Sequence, residues 1–231
     1  MKLRIRRREE STGAEDDSDR SDIMERLTKA VAGKQNSVPL EASPKLYADI
    51  EGPLTLAFKE NAEKVSAQVT LVKSQEELST SLAEVISENG WKEIVCAGKH
   101  VKDLLLANNF PFECSEVLSE TTEVAITGCE YLVANLGSVI VSSALAGSRR
   151  IFVYPPVHIV VAYSSQLVET LEEGYEKTIF KYGDNLPSLI SIITGPSRTA
   201  DIEKTLVLGA HGPKKLHIFI VDLIFPENNS I

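Results

Sequence analysis

The residues best suited to chemistry in this chain follow a short apolar run at 189–194. They are Gly195, Pro196, Ser197, Arg198 and Thr199. A helix is predicted to begin at about Ala200, so the segment would join a strand end to a helix N-terminus, which presents free backbone N–H groups. Hydroxyl groups and the Arg198 guanidinium would add donors for a carboxylate or a phosphate. The segment predicts an anion site; a capped turn in which Arg198 pairs with an internal acid is the alternative.

Three side chains near this turn are candidates for proton transfer. Asp201 and Glu203 would occupy the first turn of the predicted helix, where a carboxylate either stabilises the helix dipole or acts as a general acid or base. His211 stands between Gly209 and Gly212, which predicts a loop position where an imidazole can titrate. We take Asp201, Glu203 and His211 as catalytic candidates and Gly212 as part of the binding loop.

The cysteines do not suggest a metal centre. The chain contains three of them and four scattered histidines. Structural zinc sites and iron–sulfur clusters need about four such ligands, so no metal site is predicted. The odd number also argues against a disulfide framework. Cys96 is predicted to be a small buried residue. Cys129, next to Glu130, is either a nucleophile or, because no histidine is near it in the sequence, a packing residue, which we favour.

Composition narrows the class of protein. The 231 residues include 24 basic and 33 acidic side chains, a net charge of −9, whereas a protein that binds nucleic acid by phosphate neutralisation normally has the opposite balance. No apolar run reaches the roughly 18 residues that cross a bilayer, and the N-terminus lacks a hydrophobic signal core. The nucleotide-binding patterns GxxxxGK[ST] and GxGxxG are absent. We therefore expect a cytoplasmic protein that binds no cofactor by itself, with no nucleic-acid partner and no membrane span.

Charge and hydropathy divide the chain into three parts. Residues 1–22 are mostly polar and predict a disordered charged tail. Residues 23–52 predict a helix, capped by Asp22 and ending near Gly33, followed by an arm. Helices and strands alternate over 53–231, as in one α/β domain. Helices are predicted near 53–65, 74–90, 101–108, 130–135 and 166–180, and strands near 69–72, 93–97, 124–127, 138–142, 158–163, 189–194 and 216–222.

This order of elements predicts a three-layer α/β/α fold with a mostly parallel sheet. The apolar runs at 158–163, 189–194 and 216–222 are typical of strands covered on both faces. The strands at 138–142 and 158–163 have no helix between them, so an antiparallel pair is expected there. In the helix at 166–180, the inward face is predicted to carry Leu167, Leu171, Tyr175 and Ile179. Ligands of such open sheets bind beyond the carboxyl ends of the strands, where the Gly195 turn would lie.

Three segments resemble a known family. Pro155–His158, Gly195–Glu203 and Leu208–Pro213 read PPVH, GPSRTADIE and LGAHGP. They are similar to the LUD domain of the lactate utilization protein C family, and the resemblance extends over 124–222. It implies a fold like those of ribose-phosphate isomerases, glucosamine-6-phosphate deaminases and CoA transferases. It also implies a role in oxidising L-lactate to pyruvate beside two cysteine-rich iron–sulfur subunits, which would hold the clusters.

One segment departs from that family's pattern. Where the family usually has an acid followed by Thr-Gly-Thr, this chain reads Asn135, Leu136, Gly137 and Ser138. We include Asn135 and Gly137 among the candidate binding residues, with the turn at 195–199 and Gly212. The loss of the acid leaves two further functions open. One is a free-standing enzyme of the sugar-phosphate isomerase or CoA-transferase kind, and the other is a ligand-binding or assembly protein without catalysis.

Overall fold

The computed structural model describes residues 13–31, 49–115, 117–200, 206–208 and 212–222. The chain divides into two compact units between residues 46 and 47. The first contains α1 (Gly13–Val31), which begins before the predicted start at Asp22 and includes part of the predicted tail. Residues 20–29 of α1 are exposed, including the apolar side chains Ile23, Met24 and Leu27.

A parallel five-stranded sheet forms the centre of the second unit, with the strand order β1-β11-β6-β3-β2. Its strands are β1 (Gln68–Val72), β2 (Ile94–Cys96), β3 (Val124–Thr127), β6 (Val157–Tyr163) and β11 (Lys215–Val221). Every residue of β6 is buried, because this strand lies in the middle of a sheet that is covered on both faces. The buried strands predicted at 158–163 and 216–222 are confirmed.

Helices cover both faces of this sheet. They are α2 (Leu54–Lys64) on one face and α3 (Gln75–Asn89) and α4 (Lys99–Ala107) on the other. The predicted caps of α3 are present: the Ser74 hydroxyl accepts a hydrogen bond from the Glu77 N–H at 3.1 Å, and Gly90 ends the helix at φ 68°. The apolar face of α3 is buried completely, and Phe58 of α2 is equally buried. A mostly parallel sheet between helices is the predicted three-layer α/β fold.

A second, smaller sheet with the order β7-β4-β5-β8 packs against the α2 face. It contains β4 (Tyr131–Val133), β5 (Ser138–Ser142), β7 (Leu167–Val168) and β8 (Ile190–Ile193). The helix predicted at 130–135 is therefore wrong: β4 and β5 form an antiparallel hairpin. Its β-prone apolar residues face two cores, and Gly137 supplies the turn at φ 62°. The predicted pairing of 138–142 with 158–163 is also wrong, because β5 pairs with β4 and β8, and β8 is antiparallel and lies outside the parallel sheet.

Helix α6 (Leu171–Tyr182) covers the outer face of the second sheet. It begins after the predicted start, because Thr170 caps it and the preceding residues form β7. Its buried face agrees only in part with the predicted one. Leu171 packs against the core as predicted, but Gly174 and Thr178 are the buried residues and Tyr175 is 50% exposed. A Cβ atom on Gly174 would lie 2.7 Å from Cδ1 of Ile140, so this glycine lets the helix approach β5 closely.

The segment after Gly195 is a hairpin rather than a helix. Strand β9 (Arg198–Ala200) pairs antiparallel with β10 (Leu206–Leu208), and Thr199 faces Val207. The backbone pairing of these two strands overrides the local turn pattern that predicted a helix from Ala200. The anion site therefore has no helix N-terminus at this position.

The shorter elements complete the described chain. They are α5 (Ser143–Ala146) and two 3-10 turns at Arg149–Phe152 and Ser164–Gln166. Cys96 is buried as predicted, but it is joined to Cys114 in a disulfide, because a segment after α4 runs beside β2. Within the described ranges, no helix has the length and apolar character needed to cross a bilayer.

Candidate functional site

Two turns that are far apart in the sequence lie side by side at one end of the second sheet. Strands β5 and β8 pair antiparallel, with Val139 opposite Ile193. The hydroxyl oxygens of Ser138 and Thr194 are 2.8 Å apart. The turn before β5, which contains Asn135 and Gly137, therefore stands next to the turn at 195–197 that follows β8. The structure brings together these two groups of candidate residues.

The end of α2 packs directly on both turns. A Cβ atom on Gly137 would lie 2.1 Å from the backbone nitrogen of Ala62, and one on Gly195 would lie 2.2 Å from the Val65 carbonyl oxygen. Both glycines have positive φ, 62° and 75°. Only glycine combines that backbone conformation with so close an approach. These two candidates therefore have a structural role in docking α2.

Asn135 has polar atoms without partners. Its backbone N–H donates to the Glu169 carbonyl at 3.1 Å, and the neighbouring Ala134 carbonyl accepts from the Asn61 amide at 2.9 Å. The side-chain oxygen and nitrogen of Asn135 are buried, and no hydrogen-bond partner for either is found in the described part of the chain. An unsatisfied buried polar group costs about 1–3 kcal/mol. A side-chain amide has one acceptor oxygen and an NH₂ donor, and neither is used by the described residues.

Arg198 is exposed, and α2 orients it. Its Nη2 donates to the Val65 carbonyl at 3.2 Å and also to the Ser66 hydroxyl. A cation is stabilised at this end of a helix, because the last carbonyl groups have no partners in the helix and carry the negative end of the dipole. Among the described residues, the partners of Arg198 thus lie at a helix C-terminus.

The remaining candidates fall into two groups. The Ser197 N–H donates to the Pro213 carbonyl at 2.8 Å, and a Cβ atom on Gly212 would lie 3.1 Å from Cβ of Ser197. Ser197 of the turn therefore contacts the Gly212–Pro213 segment. Pro196 is half-buried, and Thr199 lies in β9. The three catalytic candidates, Asp201, Glu203 and His211, lie outside the described residues.

A buried carboxylate that the sequence did not reveal lies behind the second sheet. Glu130 is 3% exposed, and it accepts hydrogen bonds from Tyr182 at 2.7 Å, from Lys181 at 2.9 Å and from Ser142. Burial lowers the pKa of Lys181, but the hydrogen bond and the charge of Glu130 outweigh it and raise that pKa. The group ties the end of α6 to β4 and β5. The sequence has no pattern that would pair Glu130 with Lys181, which is more than 50 positions away.

A second polar cluster that the sequence did not reveal lies at the carboxyl end of the parallel sheet. The Tyr163 hydroxyl, at the end of β6, is 3.2 Å from Nε2 of His100 and accepts from the Gln75 amide at 3.4 Å. Burial lowers the pKa of His100 and raises the pKa of Tyr163. Open α/β sheets bind ligands at this edge, but the hydroxyl already has both partners. The signal in the sequence was the position of Tyr163 at a strand end.

The other singled-out side chains are structural. Cys129 is buried as predicted, and burial raises the pKa of its thiol, which disfavours a thiolate nucleophile. His158 is completely buried, with Nε2 2.8 Å from the Thr127 hydroxyl, and His217 is 2.9 Å from the Thr70 hydroxyl. Burial lowers the pKa of each histidine to about 4. Both are neutral core residues near neutral pH.

A shallow groove of about 490 Å³ lies away from the two turns, between α3 and the segment after α4. Its lining residues include Ser79, Glu84, Glu88, Asn108 and Asn109. None of the candidate site residues contributes to its wall. The groove therefore does not enlarge the site at the two turns.

Comparison with known proteins gives three findings. The family model of the LUD domain matches residues 56–221. Lactate utilization protein C of Halalkalibacterium halodurans is 33% identical over 106 residues, which is 45% of this chain and 46% of that protein. Lactate utilization protein C of Deinococcus radiodurans is 28% identical over 211 residues, which is 87% of this chain and 94% of that protein. The alignment with the Halalkalibacterium protein thus spans less than half of that relative.

The fold also has a solved counterpart. The crystal structure of a DUF162 family protein from Deinococcus radiodurans matches with a TM-score of 0.55 and 21% sequence identity. The match covers 73% of this chain and 96% of that one. At this identity the likeness establishes the shared fold.

Proposed function

The chain belongs to the LUD domain family, and from this premise we propose that it takes part in lactate utilization by binding a small 2-hydroxy carboxylate beside its two adjoining turns. Both relatives described above carry the name lactate utilization protein C. The observation that carries the proposal is the Asn135 side chain, whose buried oxygen and nitrogen lack partners among the described residues. The proposed site contains Asn135, Gly137, the turn at 195–199 and Gly212.

The chemistry of a 2-hydroxy acid complements this site. The amide nitrogen of Asn135 would donate to the carboxylate, and its oxygen would accept from the hydroxyl group. Arg198 would bind the carboxylate through guanidinium N–H groups other than those that face α2, and Ser197 would add a hydroxyl. Since α2 already orients Arg198, little side-chain entropy is lost on binding. Asp201, Glu203 and His211 are the proposed groups for proton transfer.

We propose that the redox centres belong to partner subunits. Oxidation of a 2-hydroxy acid to a 2-oxo acid releases two electrons and two protons, and an acceptor must take the electrons. Iron–sulfur clusters need about four thiolate ligands, whereas the chain has three cysteines, of which two are joined and one is buried. Cysteine-rich iron–sulfur oxidoreductase subunits are therefore the proposed partners, and this chain would supply the substrate site.

One observation favours a second candidate, ligand binding or assembly without turnover. Gly137, Gly195 and Arg198 all contact the end of α2. These residues thus hold the two turns against the end of α2. Such packing is compatible with a binding protein as well as with an enzyme. The two candidates differ in turnover, not in the ligand they bind.

Calorimetric titration of the purified chain with L-lactate tests the ligand. Replacement Asn135→Ala should weaken binding about tenfold, because one hydrogen bond to a charged group and one to a hydroxyl are lost. Pyruvate lacks the hydroxyl donor, so it should bind to the wild type more weakly than L-lactate does. The Asn135→Ala variant should bind pyruvate and L-lactate with equal affinity. The control Asn185→Ala makes the same change at an exposed residue outside the site and should leave affinity unaltered. Equal lactate affinities for wild type and Asn135→Ala would contradict the proposal.

Anaerobic affinity purification from the native host tests the partners. We expect cysteine-rich proteins to copurify, with the broad visible absorbance of iron–sulfur clusters. Deletion of the gene for this chain should abolish growth on L-lactate. Deletion of the genes for those partners should have the same effect. A colourless, solitary protein, or a deletion strain that grows normally on lactate, would contradict the role in lactate oxidation. Lactate binding without such partners would favour the second candidate.

A further inference from the structure

The disulfide lies at the open edge of the parallel sheet. Cys96 is the last residue of β2, and its Cα atom is 5.4 Å from that of Cys114, within the usual range for a bridge. The two residues are separated by 18 positions, and the chain between them contains all of α4. The bridge therefore closes a loop around a complete helix.

The segment that carries Cys114 extends the sheet beyond β2. Ser115 pairs with Val95 in a parallel bridge. The Ser115 N–H donates to the Ile94 carbonyl at 2.8 Å, and the Cys96 N–H donates to the Ser115 carbonyl at 3.1 Å. These bonds cover backbone groups of an edge strand that would otherwise be open to other chains. The disulfide links this segment covalently to β2.

The two cysteine residues differ in their exposure to solvent. Cys96 is 1% exposed, whereas Cys114 is half-buried and stands between two exposed residues, Glu113 and Ser115. Cys114 is therefore the more accessible of the two cysteines for attack by a thiolate. The third cysteine, Cys129, is buried elsewhere and is not joined to another residue.

We propose that Cys96 and Cys114 form a reversible thiol–disulfide site that a dithiol reductant opens. One thiolate of the reductant attacks the Cys114 sulfur, and Cys96 leaves as a thiolate that takes up a proton. The second thiol of the reductant then attacks the mixed disulfide, releases Cys114 as a thiol and leaves the reductant oxidised. Two electrons pass from the dithiol to the cystine. This inference does not depend on the proposed function.

Reduction loosens α4 and the strand cover. Without the cross-link, the loop between the two cysteines regains conformational freedom, and its opening becomes more frequent by a factor on the order of 100. The first turn of α4 contains His100, which contacts Tyr163 at the carboxyl end of the sheet. The redox state of the pair thus controls how firmly this contact and the edge of β2 are held.

Hydrogen exchange and thiol labelling of the full chain test the proposal. In the oxidised native protein, N-ethylmaleimide should add to no cysteine, since Cys129 is buried. After treatment with dithiothreitol it should add first at Cys114 and then at Cys96. Amide exchange in α4 and at 113–115 should rise about 100-fold on reduction, while exchange in β6 stays unchanged.

Both measurements use the wild-type protein, so they do not depend on a variant that folds. The replacement Cys114→Ser should remove the response of α4 to reductant, whereas Cys129→Ala should leave it intact. Free Cys96 and Cys114 thiols after exposure to oxidised glutathione would overturn the proposal. Exchange rates in α4 that do not change on reduction would overturn it as well.

Discussion

Arg198 has a structural contact in addition to its proposed role in binding an anion. Its guanidinium is fixed by the carbonyl end of α2 through Val65 and Ser66. The residue pattern predicted an anion-binding arginine at a helix N-terminus, and the structure instead places it in a β-hairpin beside a helix C-terminus. The proposed site therefore relies on side chains, above all Asn135 and Arg198, rather than on a helix dipole.

The buried histidines predict a loss of stability in acid. Their folded pKa is about 4, below the ordinary value of 6.5, so the unfolded chain binds more protons between these limits. Stability should therefore fall as the pH drops from about 6.5 towards 4, by roughly 1.4 kcal/mol per pH unit for each histidine. Urea unfolding of wild type and His158→Gln over this range measures the effect.

The free energy of unfolding of His158→Gln should fall less steeply with decreasing pH than that of the wild type. The difference in slope should equal about the contribution of one histidine. Comparison at pH 7.5, where both histidines are neutral, gives the cost of the substitution itself. Parallel stability curves for the two proteins over pH 4–6.5 would show that His158 does not titrate as its burial requires.

At the scale of elements, packing overrode local pattern wherever a short segment could meet another strand. Residues 131–133 and 198–200 follow turns that are typical of helix starts, yet both are strands. Each pairs with a partner that follows shortly afterwards and forms a hairpin. The longer elements β6, β11 and α3 were predicted correctly, because their periodicity extends over enough residues to specify one structure.

The docking of α2 predicts a large effect of one methyl group at Gly137. In Gly137→Ala, the added Cβ would meet the backbone of α2 at 2.1 Å, so we expect a loss of about 3 kcal/mol or more in the free energy of unfolding. Gly147→Ala is the matched control, because Gly147 has a similar φ of 66° but nothing within 4 Å of the added atom. That variant should lose only about 1 kcal/mol. Equal losses in urea unfolding would show that α2 does not pack against this turn.

At the scale of the whole molecule, the LUD domain match lies within the second compact unit. The family match at 56–221 begins after the boundary between residues 46 and 47. The central core consists of residues from this unit, including the parallel sheet and the helices on both of its faces. Stability is therefore expected to reside in the second unit.

Removal of residues 1–46 tests this expectation. The described side chains of α1 are exposed, Ile23, Met24 and Leu27 each by more than half, so deletion should change Tm by less than about 3 °C. As a reference, Leu78→Ala removes a completely buried side chain from α3 and should lower Tm by about 10 °C. Thermal unfolding by circular dichroism measures both. A drop in Tm on truncation as large as that of Leu78→Ala would show that the second unit depends on the first.

The sequence by itself determined the α/β class, the central buried strands, the caps of α3 and the resemblance to the LUD family. These depend on local information: side-chain periodicity, capping residues and motifs of consecutive residues. Only the tertiary structure decided that Ser138 contacts Thr194, that Arg198 contacts α2, and that Glu130 contacts Lys181. Such contacts join residues far apart in the chain, and their formation depends on sheet order and strand register. Those in turn are set by the free energy of packing the whole core, which no single segment encodes.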